Sequence, residues 1–408
     1  MKIITKIGLL PFIAVALLAA GTEIAAAEIP GDTITLGAAV SLTGKYSTNG
    51  KNTRDGYDLA VKRINENGGI KVGGKTYKFK IVYYDDESTP ARAAQLVERL
   101  INQDGVKYML GPYSSGVTAA VAPVTEKYQI PMVEGNGASL SLFNKGYKYL
   151  FATLSTTEYY LKSAVELMAE KASEIGKKPS QVTIAMAFEN DPFSQDVRAG
   201  VVEDAKKHGM KIVIDDKLPP EINDMAATLT KVRAIKPDLL VVSGHAKGAT
   251  LVVRQTNEMK VRAPMMATTH CDSAKVAETM GAAAEGFLCS SQWDRSLRYS
   301  DKWFGKAEEY AQLFEKTTNY EPPYQAAEST AAVLVFVDAF NRCQCFETEK
   351  LRTAIAATDM ETFYGHIKFD KTGKNIAKPM ILYQVQKGDY RVVAPTKWAE
   401  AKVKFPLK

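Results

Sequence analysis

Short apolar runs alternate along this chain with stretches of helical periodicity, and the alternation runs, breaks and restarts. Thr33 to Val40 reads as a strand, and Tyr57, Ala60, Val61 and Ile64 mark a helix that Asn67-Gly68-Gly69 ends. Lys78 to Tyr84 is a second strand. Pro90 opens the next helix, with Leu96, Val97, Leu100 and Ile101 as its buried stripe. Further extended runs follow at 108–110, 129–133 and 149–153. Beyond a helix over 161–172 the pattern begins again, with strands at 182–188, 211–215, 238–243, 264–268 and 286–292. Asn223 and Asp224 are expected to cap the helix holding Leu229, Val232 and Ile235, and another helix spans 246–259. A long apolar helix over 326–340 reads as core. Strands at 365–370 and 380–385 are joined by a turn at Lys371-Thr372-Gly373-Lys374. Strands alternating with helices require parallel sheets covered on both faces, so the predicted class is α/β with two doubly wound lobes.

Length supports two units. Lys2 and Lys6, the apolar run 7–20 and Ala25-Ala26-Ala27 have the layout of a secretory signal peptide cut after Ala27. About 380 residues remain, too many for one ordinary core. No later segment is apolar for long enough to span a membrane. An exported, periplasmic chain is expected. In an oxidising compartment Cys271 with Cys289 is the favoured pair, with buried free thiols the alternative; Cys343 and Cys345 are too close for an easy unstrained bridge, although one can form.

Ligands of open parallel sheets bind at the carboxyl ends of strands. Three loops of the first half leave those ends: Ser41–Gly50, Tyr113–Gly116 and Glu134–Ala138. The middle one lies in VKYMLGPYSSGVT (106–118), where a strand stops at Gly111-Pro112 and a helix starts near Ser115. Backbone N–H groups at such a helix start favour an anion. The serines either hold a carboxylate or merely cap the helix. Tyr46, Tyr113, Phe193 and His245 fall in loops at strand ends, where aromatic groups suit an organic-ligand pocket.

Other chemistries fit poorly. Gly135-x-Gly137 lacks the third glycine of a dinucleotide loop, since Leu140 stands there. Ser114 and Ser115 are not in a G-x-S-x-G elbow, and none of the four histidines has an evident partner for a serine triad. His270-Cys271-Asp272 has no spaced second ligand pair for zinc. Lysines are scattered rather than massed with aromatics, which argues against nucleic acid. No enzyme activity, cofactor or metal is expected.

In order and spacing, the segments 34–50, 64–70, 80–100, 110–123, 130–139 and 283–288 resemble the branched-chain amino acid-binding proteins, type I periplasmic solute-binding proteins of ABC transporters. The resemblance implies two lobes joined by hinge strands, a ligand trapped between them, and delivery to an inner-membrane ABC permease. It implies lobe I from 28–152 plus 292–378, lobe II from 153–291 plus 379–408, and a monomer. It also implies that Tyr113-Ser114-Ser115 and Asn136-Gly137-Ala138 grip a ligand carboxylate by hydroxyl and backbone N–H groups, with Ser115 foremost. Asn49 stands where relatives often have an aromatic, Phe193 matches an aromatic of the second lobe, His245 falls where an aromatic is common, and Tyr324 covers the pocket.

Two departures stand out. A disulfide of some relatives falls here on Ser88 and Ser114. The acidic residue that meets a ligand's ammonium falls near Thr269, His270 or Cys271, with only Asp272 acidic. Either Asp272 or Glu134 supplies that charge, or the ligand has no amino group. The implied ligand is a branched-chain or related amino acid; the alternatives are an aromatic or other non-amino acid, or a sensing rather than a transport role.

Overall fold

The computed structural model describes residues 29–407, so the expected signal peptide lies outside the described residues. The first lobe is a six-stranded sheet: β1 (Thr33–Val40), β2 (Ile70–Val72), β3 (Lys75–Asp85), β4 (Met109–Leu110), β5 (Met132–Glu134) and β6 (Leu150–Ala152). Its order is β2-β3-β1-β4-β5-β6, parallel except where β2 folds back on β3. The second is seven-stranded. It holds β7 (Thr183–Glu189), β8 (Lys211–Leu218), β9 (Leu239–Ser243), β10 (Met265–Thr269) and β11 (Leu288–Ser291), all parallel. Two hairpins lie outside both sheets, β12 (Ser300–Asp301) with β13 (Gly305–Lys306), and β14 (Asp359–Thr362) with β15 (Gly365–Lys368). The last strands, β16 (Ile381–Gln386) and β17 (Asp389–Ala394), return antiparallel to the free edge of β11.

Strands β7, β9 and β10 are buried along almost their whole length, which is why they read as continuous apolar runs. The helices are α1 (Ser47–Glu66), α2 (Pro90–Asn102), α3 (Ser115–Lys127), α4 (Leu140–Phe143), α5 (Lys162–Lys171) and α6 (Pro192–His208). They continue with α7 (Ala226–Ile235), α8 (His245–Glu258), α9 (Val276–Met280), α10 (Ala307–Thr318), α11 (Tyr324–Cys343) and α12 (Thr348–Ala356). Helix α1 lies so close to α11 that a Cβ on Gly56 would sit 2.2 Å from the Ala326 carbonyl oxygen. That approach fixes the first turn of α11 against the first lobe. No helix among the described residues is long and apolar enough to cross a membrane.

The chain passes between the sheets three times, and the crossings are stitched to each other. Ser155 N–H donates to Gln292 Oε1 at 3.1 Å, and Gln292 Nε2 donates to Ser155 O at 2.8 Å. Lys378 joins them by donating its ammonium to Gln292 O and accepting Ser155 Oγ–H at its carbonyl.

Several expectations need correction. The turn at 371–374 does not pair 365–370 with 380–385: β15 pairs with β14, and β16 pairs with β11 and β17. Helix α7 begins at Ala226, with Asp224 holding the Ala226 N–H at 3.1 Å from one residue before the cap. Cys271 pairs with Cys289 as favoured, whereas Cys343 and Cys345 bridge despite their spacing, so no described cysteine is free.

Candidate functional site

The loop after β4 does two jobs. Ser114 takes φ +76°, a conformation that costs a non-glycine residue about 1–3 kcal/mol and that clusters at functional sites. Its hydroxyl accepts the Val117 N–H at 3.3 Å, so Ser114 is the helix cap. Ser115 is different. Its hydroxyl accepts the Ser139 N–H at 3.0 Å and keeps its own proton for another acceptor. The N–H groups of Ser115 and Gly116, at the positive end of α3, meet no acceptor among the described residues. The capping reading therefore belongs to Ser114, while Ser115 does not cap the helix.

These serines line a nearly filled cavity of about 10 Å³ between the lobes. That is about the room one water needs, so the lobes must part or the wall must shift to admit a solute. Tyr113, Ser114, Ser115, Asn136, Tyr324, Gln325 and Glu328 line it from the first lobe; Phe193, His245 and His270 from the second, with Tyr160 from the segment after β6. The rings pack edge to face. Phe193 lies 5.0 Å from Tyr160 and 5.1 Å from His270 between centroids, and Tyr46 packs 5.0 Å from His245 behind them. His245 and His270 share the left-handed backbone of Ser114, with φ +47° and +62°.

Tyr113 ties the lobes at the cavity. Its hydroxyl is 2.9 Å from His245 Nδ1 and 3.2 Å from His270 Nε2. Burial, followed by the neighbouring His245, holds His270 well below the ordinary imidazole range, so it is neutral. Burial would raise the Asp191 carboxyl, but His245 Nε2 at 2.9 Å holds it down. Further out, the Lys45 ammonium reaches across to Glu189 and the Pro220 carbonyl. Ser139 Oγ–H spans to Asp196 at 2.6 Å. Glu189, Asp191 and His245 bring ligand atoms within 4.8 Å of one another, but Lys45 already holds Glu189.

Glu134 changes the reading of its loop. Its Oε2 accepts the N–H of Asn136 at 2.6 Å and that of Gly137. The expected backbone grip by Asn136 and Gly137 is thereby taken up within the protein. Burial lifts the Glu134 carboxyl to about 7. A group raised from 4.5 favours the folded state below that value and loses the contribution as pH climbs through 7. Relative to Glu134→Gln, wild type should lose up to about 3 kcal/mol between pH 4.5 and about pH 8, read from chemical unfolding at each pH. A pH-independent difference would contradict this.

The structure brings Tyr113, Ser114, Ser115, Asn136, Phe193, His245, His270 and Tyr324 to the cavity wall. It does not bring three others. Asn49 sits in the first turn of α1 on a neighbouring surface depression, and Gly137 and Ala138 lie behind Asn136. Tyr160, Gln325 and Glu328 were not anticipated. The available signal was polar side chains at 325 and 328 entering an apolar helix, a pattern read as core.

The periplasmic binding protein family model matches residues 33–389. The chain belongs to that family. Members of the periplasmic binding protein family are solute-binding proteins rather than enzymes. The chain is 24% identical to a Leu/Ile/Val-binding protein homolog of Brucella abortus over 381 residues, covering 91% of this chain and 93% of that one. Its fold is similar to the LivJ substrate-binding protein of Streptococcus pneumoniae in complex with isoleucine, with TM-score 0.75, 23% identity, and coverage of 89% and 100%. It is similar also to an ABC-transporter solute-binding protein of R. palustris in complex with benzoate, with TM-score 0.76, 18% identity, and coverage of 92% and 99%. The two sheets with their parallel cores are the type I arrangement of this family.

Proposed function

We propose that this periplasmic binding protein captures a small carboxylate without an ammonium group, foremost an aromatic acid, and delivers it to an ABC permease. The observation that carries the reading is at the loop after β10, where His270 rather than a carboxylate meets the cavity. Asp272 turns both oxygens away, accepting the N–H of Tyr324 at 3.1 Å and of Ser273 at 2.8 Å. Glu328 is the one carboxyl on the cavity wall among the described residues, and burial, then Glu134, pushes it far above the ordinary range, towards the neutral form. An ammonium would be buried there without an ionised partner, which is costly. A carboxylate has what it needs: the Ser115 hydroxyl, two free N–H groups and the positive end of α3.

The benzoate-bound relative fold supports an aromatic acid, and the isoleucine-bound one supplies the competing reading. Isothermal titration with benzoate, leucine and isoleucine separates them. Benzoate is expected to bind while the amino acids give no heat at the same concentrations; tight leucine or isoleucine binding with none for benzoate would overturn the proposal.

A further inference from the structure

Three polar atoms on the cavity wall are left without partners by the carboxylate grip. Gln325 is fully buried, and neither its Oε1 nor its Nε2 has a hydrogen-bond partner in the protein. Asn136 is 7% exposed, and its Oδ1 is likewise unpartnered. The two residues are connected: Asn136 Nδ2 donates to Ser329 Oγ at 2.9 Å, and Ser329 Oγ–H donates to the Gln325 carbonyl at 2.6 Å. This chain fixes the Asn136 amide with its oxygen free, beside the first turn of α11.

Buried polar groups are rarely left unpaired, and each exception asks for a cause. An ionised carboxylate cannot satisfy these atoms together, because it only accepts, and two of the three are acceptors. They need an O–H or N–H donor carried elsewhere on the ligand. An ammonium is disfavoured by the wall chemistry above. A hydroxyl donates once and accepts as well, so one hydroxyl satisfies one of the two acceptors and the Gln325 Nε2 donor together.

We infer that Asn136 and Gln325 form a subsite for a hydroxyl group, and that the protein selects hydroxylated aromatic acids over unsubstituted ones. The inference rests on the carboxylate reading of the same cavity and adds to it a second polar group of the ligand. A site built to hydrogen-bond a hydroxyl discriminates strongly against the analogue that lacks it, because the site's own groups are then stranded.

The test is titration of the whole protein with benzoate, the three monohydroxybenzoates and leucine, repeated on Gln325→Met, whose folding is checked by its thermal midpoint. In wild type, at least one hydroxybenzoate should bind about tenfold or more tighter than benzoate. In Gln325→Met that ratio should fall to within about threefold. Equal wild-type affinities for benzoate and all three hydroxybenzoates would overturn the hydroxyl subsite while leaving the aromatic-acid reading standing. So would an unchanged ratio in a folded Gln325→Met protein. Leucine binding with no aromatic acid bound would remove both.

Discussion

Ser115→Ala is expected to weaken benzoate binding by roughly 10- to 100-fold in isothermal titration. A hydrogen bond to a charged group contributes about 1.5–3 kcal/mol, and each 1.4 kcal/mol is a factor of about ten in affinity. The substitution also strands the Ser139 N–H, which Ser115 Oγ accepts at 3.0 Å. Ser139 in turn reaches Asp196 of the second lobe, so the loss spreads from ligand contact to closure. Ser114→Ala is the informative companion. It removes a helix cap and should cost about 1 kcal/mol of stability with a smaller loss of affinity. If Ser115→Ala kept its thermal midpoint and bound benzoate within about threefold of wild type, the anion role assigned to this turn would fail.

The second large effect is on stability. Breaking the Cys271–Cys289 bridge by changing both residues to serine should lower unfolding free energy by about 3 kcal/mol, as expected for a loop of this size. The bridge closes a separation of 18 residues and ties the loop after β10 to β11. That loop carries His270, so benzoate affinity should fall along with stability. Denaturant unfolding of the double variant against wild type reads the first effect and titration the second. A shift below about 0.5 kcal/mol, the range of an ordinary surface substitution, would mean the bridge is incidental.

Sequence reasoning located the strands of both sheets where burial on two faces makes them continuous apolar runs, as in β7, β9 and β10. It passed over β17 and α12 because both are half-polar: DYRVVA and TEKLRTAIA show no such run, and only the return of β16 to the edge of β11 gives β17 a partner. At the site, Ser115, Phe193 and His245 were legible because strand-end loops in an α/β sheet converge. Gln325 and Glu328 were not, because a polar residue inside an apolar helix declares its purpose only once the other lobe is in place. The Glu134 carboxylate turning back onto its own loop was equally hidden. Two residues of chain decide whether those N–H groups face outward or inward, and spacing carries no record of that choice.

The Lys45 bridge to Glu189 and Pro220 has a consequence for how tightly any solute is held. It joins the lobes without facing the cavity. Such a contact shifts the balance between open and shut conformers of the empty protein, and apparent affinity scales with the fraction already competent to bind. Strengthening or weakening this bridge therefore multiplies the affinity for every solute by one common factor. Preference among solutes stays with the cavity wall, so the rim and the wall can drift independently: one sets the concentration at which the protein fills, the other what fills it.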